Sequence, residues 1–580
     1  MSDTSKKTAK KSAKKVPATH AVAAKQPAKK GAGKKDAGAT PSAPPSKLAP
    51  SIKAAIKNIE TYGDTDIFPY SFERYIFHDQ PGLLHGVLEW LHADFDAQLA
   101  TNAPENINTL APVGYTGYRW ATQIDPLWNA YYLSLVIDMG PAIEAARIPV
   151  SENSVFSYRF ITPTSDGGIF DANVNWRAFM EKSQEAAADF PFVLVCDISD
   201  FYSRIYHHRI ENALKWLNTK NDTVKRIVDV LKTFSGTVSY GLPVGGPASR
   251  LLAELSLNSV DKLLRGEGIR FCRFVDDYRI FCSSKEEAYQ RLIFLSEKLF
   301  NEGLSLQKAK TRILTSKEFL DETKLLVKAE QIDEENLSEE DKLLKLSVHF
   351  DPYSDTRVDD YENLKEQVSK VDVAGILGRE LEKTRIDPIV TKQAISVIRV
   401  LEPEAQKDII ESLLQIENLH TLAPVFPRLM TVLRGLYSEL GEGTQSVIDS
   451  GLTALVKAES HIIQVDLNLA YAIQVLRQRC TQKTETLFVQ IFRKSTSPLV
   501  RREIIIAWGG WQHNHSLTDL KKSFSALSKW ERRAFIVGSY ILTDEGKHWR
   551  THNRESFDPL ERLVRDWFGN RKNTNPNVPL

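Results

Sequence analysis

The sequence predicts an α+β fold in which a small sheet lies among helices in the first part of the chain, followed by a long all-α region. Three observations lead there. Phe192 to Cys196 is a short, continuously apolar run that ends at Asp197, the pattern of a buried strand. In RFCRFVDDYRIFCSS, apolar residues before Asp276-Asp277 (Phe271, Phe274, Val275) and after it (Tyr278, Ile280, Phe281) suit a hairpin of β-branched and aromatic strands with an acidic tip. From about Glu330 onward, segments such as KQAISVIRVL, KDIIESLLQI and DLNLAYAIQVLRQRC place apolar residues at three-to-four spacing between short polar breaks, which is helical periodicity.

The strand ends carry the chemistry. Two Asp side chains at a tight turn repel each other and lose hydration, so they need cations or exposure to stay ionised. Mg²⁺, a hard oxygen-seeking ion, fits such a site, with Mn²⁺ as the alternative. Two-metal phosphoryl transfer needs carboxylates from separate strands, and Asp197 with Asp276 supplies that pair. An Asp-Asp hairpin turn with no metal is the alternative for this segment alone, since Asp is a common turn residue. Five residues beyond Asp197, just before an amphipathic helix that begins near Arg204, stands Tyr202, whose ring can floor a sugar pocket. Between the acidic segments, GLPVGGPASRLLAELSLNSVDKLL joins a loop containing Gly241, Gly245 and Gly246 to an amphipathic helix entered near Pro247. Glycines there let backbone approach a ligand closely. After the acidic pair, Gly303 to Leu306 with Lys308, Lys310 and Thr311 reads as a strand-like basic segment. Its lysines suit either triphosphate neutralisation or a solvated turn.

The order of these segments resembles the reverse transcriptase family. Asp197 and Tyr202 fall in its first palm motif, Leu242-Pro243-Val244-Gly245 in the second and Phe274-Val275-Asp276-Asp277 in the third. The resemblance implies a right-hand polymerase palm with helical fingers. It also implies Asp197, Asp276 and Asp277 as metal ligands, and Tyr202 as the gate that excludes a ribose 2′-hydroxyl. Val244 and Gly245 would lie at the nucleotide, and Lys310 would be a candidate acid for pyrophosphate. Tyr158-Arg159-Phe160 resembles the fingers segment whose Arg holds the incoming triphosphate, although an Arg in an apolar strand also serves as an ion-pair partner. Val244 stands where the family usually has Gln, and its side chain cannot donate a hydrogen bond, which puts ordinary templated copying in doubt. DISDFYSRIYHHRIENAL, LPVGGPASR and the long helical region most resemble bacterial abortive-infection reverse transcriptases. That likeness implies anti-phage defence, deoxynucleoside triphosphates as substrates and template-independent DNA synthesis primed from a protein tyrosine. The DNA product would then be attached covalently to the protein, and homo-oligomers and an associated RNA are further expected partners. Of the N-terminal tyrosines, Tyr70 and Tyr75 are the first priming candidates.

Composition and charge agree with a large enzyme of several domains. The 580 residues suffice for two or three cores. Cys196, Cys272, Cys282 and Cys480 lack CxxC spacing and read as reduced thiols of a cytoplasmic protein, not as zinc ligands. No run approaches the roughly 18 apolar residues of a membrane span. Residues 1–50 hold twelve Lys against Asp3 and Asp36 while the whole chain carries +1, so the remainder is acidic. The expected organisation is a disordered Lys/Ala/Pro-rich basic tail over 1–50, fingers and palm over 51–330, and an all-α HEAT-like helical C-terminal domain over 331–580. Residues 51 to 147 are expected to be mostly helical, with tyrosines such as Tyr131 and Tyr132 exposed or half-exposed. Two other readings stay open: a conventional templated reverse transcriptase of a mobile element, and a non-catalytic nucleic-acid-binding scaffold with a vestigial site.

Overall fold

The computed structural model describes residues 46–217, 221–236, 238–327, 338–345, 365 and 367–574. Of the tail expected over 1–50, residues 1–45 lie outside the described residues, whereas Leu48 is buried and a helix begins at Ala49, so the ordered chain starts earlier than expected; the described residues from 46 on fall in one compact unit.

Helices α1 (Ala49–Tyr62), α2 (Arg74–Asp79), α3 (Pro81–Ala93) and α4 (Phe95–Thr101) lead into a two-stranded antiparallel hairpin, β1 (Ile107–Val113) and β2 (Gly117–Gln123). Residues 51–147 are mostly helical, as the sequence predicts, and this hairpin is the exception. The hairpin arises because INTLAPV and GYRWATQ alternate about a Gly114–Gly117 turn: Ile107, Thr109 and Ala111 face inward, while Leu110, Tyr118 and Trp120 face out. Helix α5 (Pro126–Ala146) follows, started by Pro126 and capped by Asp125, whose carboxylate accepts from the Leu127 N–H at 3.3 Å. It is apolar almost all round and runs through the core. Tyr131 and Tyr132 are fully buried on it, so they are packing residues and not surface groups.

The main sheet has four antiparallel strands in the order β4 (Phe271–Phe274), β5 (Asp277–Cys282), β3 (Phe192–Asp197), β6 (Arg312–Thr315). Both faces are covered, which is why its strands read as unbroken apolar runs. Val193 and Val195 point into one cluster with Phe179 and Phe319, whereas Leu194 and Cys196 point into the other with residues of α5 and of α10 (Pro247–Gly266). Cys196, Cys272 and Cys282 are buried, unpaired thiols on these strands. Flanking the sheet are α6 (Trp176–Asp189), α7 (Phe201–Arg204), α8 (His207–Trp216), α9 (Asn221–Ser235), α11 (Lys285–Asn301) and α12 (Ser316–Val327). The basic segment after α11 is not a strand. Residues 308–310 form a 3₁₀ turn, and the edge strand β6 begins only at Arg312.

Beyond residue 338 the described structure is helical. Helices 388–397, 426–436, 466–476, 498–510, 529–538 and 559–574 follow one another as an inner row, each but the last packing against the next, and helices such as 403–413, 442–457, 482–494 and 514–522 form an outer row. The inner row binds the N-terminal segment tightly. Arg533, fully buried, bonds Glu73 at 2.8 Å and Asp125 at 2.9 Å. Trp530 donates its indole N–H to the Glu105 carbonyl at 2.7 Å, Arg502 reaches Gln123 at 3.0 Å, and Tyr471 donates to the Ile67 carbonyl at 3.0 Å. Buried charges so paired cannot separate without leaving an uncompensated ion behind. No helix among the described residues is long and apolar enough to cross a membrane.

Candidate metal centre

Strand register creates the site. Asp197 is the last residue of β3 and pairs with Asp277, the first of β5, while Asp276 occupies the β4–β5 turn. The Ile198 N–H donates to the Asp276 carbonyl at 3.0 Å and ties the turn to the end of β3. The carboxylate oxygens of Asp197, Asp276 and Asp277 consequently come within 4.8 Å of one another, and among the described residues this is the one group of three or more His, Cys, Asp or Glu so placed. Three hard oxygen donors at one strand end suit a divalent cation of the Mg²⁺ class.

The electrostatics point the same way. Burial, then the charges of Asp277 and Asp197, push the Asp276 carboxyl up to about 7. Asp277 is also raised, first by burial and then by Asp197, while Arg279 at 3.4 Å works against the shift. Lys310 is the compensating cation. The loop before it is sewn to the end of β3 by Ser199 N–H to the Ser305 carbonyl (2.8 Å) and Gln307 N–H to the Asp197 carbonyl (2.7 Å). Its Nζ then lies 3.0 Å from Asp197 Oδ1. Burial opposes the Lys310 charge, but the hydrogen bond and charge of Asp197, with Asp277 and Asp276 behind it, raise its pKa overall.

A prediction follows from the carboxylate repulsion. A carboxyl whose folded pKa lies above its unfolded value binds more protons when folded, so stability falls as pH rises from about 4 through about 7. A cation that binds the ionised form offsets that loss. Mg²⁺ should therefore raise the melting temperature more at pH 8 than at pH 5.5. Calorimetry showing the same Mg²⁺ increment at both pH values would remove Asp276 from the cation site.

Tyr202 lies on α7 with its ring half-buried against Phe201 (centroids 5.5 Å apart), and burial holds its hydroxyl well above the ordinary tyrosine range. The charges of Asp276 and Arg250 both act on it. Its carbonyl accepts from the Leu242 N–H at 2.8 Å, which links the first motif to the glycine loop. In that loop Gly245 has φ +103°, and a Cβ there would lie 2.6 Å from Asp66 Oδ1 and Thr65 Oγ1. Only glycine fits. Val244 is half-buried against the cluster containing Ile67, Phe68 and Ala121, so it braces the loop through apolar contact.

Arg159 sits elsewhere than expected. It is 3 % exposed, paired with Glu144 of α5 and bonded to the Ile148 carbonyl at 2.9 Å, an internal ion-pair partner. The cation beside Tyr202 is Arg250, at the start of α10. It lies over the Tyr158 ring at 5.1 Å and pairs with Asp66 at 2.7 Å. Tyr70 is 41 % exposed, whereas Tyr75 packs against the apolar core of the helical region.

Sequence reasoning also missed the support beneath the turn. Val275 has φ +55°, a conformation strained for a β-branched residue. Its N–H donates to Ser157 Oγ at 2.9 Å and its carbonyl accepts from Arg273 at 2.8 Å. Glu254 of α10 ties these two together: it accepts from Ser157 at 2.6 Å, from Arg273 at 2.9 and 3.2 Å, and from Arg147 at 2.6 Å. Asp261 completes the charge balance at 2.6 Å from Arg273. The sequence signal was a Glu inside the apolar helical run LLAELSL and an Arg inside FCRFV.

Residues 142–345, which include the three carboxylates, match the family profile described as Reverse transcriptase (RNA-dependent DNA polymerase). Among solved structures, the chain is similar to a telomerase from Candida albicans in complex with a TWJ fragment of telomeric RNA, at 10% identity and a TM-score of 0.27. That match covers 62% of this chain and 64% of the telomerase chain. No curated protein matches the chain.

Proposed function

We propose, from a chain that carries a reverse transcriptase domain and is therefore a nucleotidyltransferase, that it makes DNA without a template, primed by one of its own tyrosines, in defence against phage. In this reading 51–330 forms fingers and palm, and 331–580 is a HEAT-like array in the place of a polymerase thumb. The observation that carries it is the convergence of Asp197, Asp276 and Asp277 at one end of a four-stranded antiparallel sheet inside the matched region. Those residues would hold two divalent cations, which when bound stabilise the attacking and leaving oxygens of an in-line displacement at the α-phosphorus of a deoxynucleoside triphosphate.

The chain's own groups do the rest. Tyr202 presents its ring beside the carboxylates, where a 2′-hydroxyl would collide with it. Lys310, kept protonated by its acidic neighbours, is positioned to donate a proton to departing pyrophosphate. Arg250, in place of Arg159, supplies the cation on the nucleotide side. The Val244 side chain offers a template strand no hydrogen bond, and this supports the untemplated reading over a conventional reverse transcriptase. Of the two priming candidates, exposure supports Tyr70 over Tyr75. The defence role rests on the likeness of DISDFYSRIYHHRIENAL and LPVGGPASR to the abortive-infection group.

The test is to incubate the purified protein with Mg²⁺ and labelled deoxynucleotides, with no primer or template. Label should stay with the protein through denaturation and be freed by nuclease. Label released by denaturation alone, or strict dependence on added template and primer, would favour a conventional templated enzyme. Absence of incorporation under every condition would favour a nucleic-acid-binding scaffold.

A further inference from the structure

A cavity of about 860 Å³ lies outside the carboxylate site, between residues 65–70 and the helices Pro388–Val397 and Phe426–Leu436. Its helical walls follow from spacing. Ile389, Lys392 and Ser396 share one face of the first helix, and Arg428, Thr431 and Arg434 one face of the second. Lys392, Arg428 and Arg434 bring three positive charges to this cavity. None of the three has a carboxylate partner among the described residues: Arg428 bonds only the Ser396 hydroxyl, at 2.6 and 2.8 Å, and Arg434 bonds the Gln474 side-chain carbonyl at 2.7 Å. Asp66, the acid on the wall, is already taken by Arg250 at 2.7 Å. Most arginines of the inner helical row are paired internally, as Arg477 with Glu503 and Arg533 with Glu73 are. Three cations without a carboxylate partner among the described residues, facing one space in the net-acidic part of the chain beyond residue 50, call for an anion.

Flat surface accompanies the charge. The Tyr70 ring, 41 % exposed, has Arg74 over it at 4.5 Å and Arg434 at 5.9 Å. Tyr471, half-buried, lies further along the wall. Cations tracking a backbone beside aromatic rings are the two components of single-strand recognition. We propose that this cavity binds a single-stranded nucleic-acid segment, with its phosphates on Lys392, Arg428 and Arg434 and a base against Tyr70. The volume lies at the upper end of the roughly 300–1,000 Å³ of small-ligand pockets, and the cations are spread over two helices, so several phosphates suit it better than one nucleotide. The wall residues Thr65 and Asp66 also abut Gly245 and Arg250, so the cavity begins where the glycine loop of the nucleotide side ends. Binding here needs no chemistry at the carboxylates, and it therefore stands or falls separately from the proposed polymerisation.

The experiment uses full-length Asp276→Asn protein, which cannot extend the probe, and a fluorescent oligo-dT of roughly ten nucleotides. Anisotropy should show binding that weakens about tenfold or more at low salt in the added double variant Lys392→Gln/Arg428→Gln. The slope of log Kd against log salt should fall by about 0.7 per cation removed. Both residues are exposed, and among the described residues neither pairs with an acid, so the melting temperature should hold. Affinity and slope both unchanged in a folded double variant would overturn the proposal. Competition by thymidine 5′-monophosphate as effective per molecule as by the oligomer would also overturn it, in favour of a single-nucleotide site.

Discussion

Replacing Asp276 with Asn is expected to lower deoxynucleotide incorporation by about a thousandfold or more while leaving the protein folded. The geometry separates the two outcomes. Asp276 lies in a turn, is partly buried, and has its carboxyl pushed up to about 7 by burial first and then by the charges of Asp277 and Asp197. A neutral amide of the same shape removes that repulsion, so the metal-free variant should melt no lower than the parent and somewhat higher above pH 7. The same amide is a poor ligand for a hard cation. Mg²⁺ should then lose much of its stabilising effect, and calorimetry with and without the ion reads this independently of any activity assay. Retained incorporation in Asp276→Asn would displace the carboxylate cluster from the chemistry. Loss of incorporation together with a collapsed melting temperature would show that the carboxylate is needed for folding instead.

How far the sequence announced this site depends on the range over which its physics acts. Asp197, Asp276 and Asp277 were legible because each ends a short apolar run, and charge at the end of a buried strand has few innocent explanations. The sheet was legible for the same reason, its strands being covered on both faces. The hairpin of residues 107–123 was not, because Pro112 and the small turn residues broke a short alternation set among helical aromatic segments. Arg159 was misplaced because a guanidinium in an apolar run looks alike whether it meets a phosphate or an internal carboxylate. The partner that decides the matter, Glu144, lies on the preceding helix. Lys310 was placed near the site in sequence, but its contact with Asp197 depends on backbone bonds from Ser305 and Gln307 that no local pattern encodes. The cations of the large cavity were invisible until residues 65–70 met helices more than 300 positions later.

Glu254→Leu is expected to destabilise the protein by about 3–5 kcal/mol, the cost of removing one partner from a buried ion cluster. Glu254 and Arg273 are both fully buried, and Arg147 is nearly so. Leucine would take one carboxylate from each of two guanidinium groups, leaving Arg273 on Asp261 and Arg147 on Glu144, and would strip Ser157 of its acceptor. The consequence should reach the metal site, because this cluster holds the strained Val275 from both sides, N–H through Ser157 and carbonyl through Arg273. A left-handed β-branched residue is worth about 1–3 kcal/mol of strain and persists only where its surroundings impose it. Ser157→Ala isolates that second effect. It deletes one hydroxyl, keeps every charge paired, and should cost only about 1–2 kcal/mol of stability. Its larger signature should be a weaker response to Mg²⁺, since the turn that carries Asp276 can then relax away from Asp197. Calorimetric titration of Mg²⁺ into Ser157→Ala at a temperature where the variant is fully folded measures this directly. An affinity equal to that of the parent would mean that the strand pairing of Asp197 with Asp277 sets the turn by itself, and that the Glu254 cluster serves stability alone.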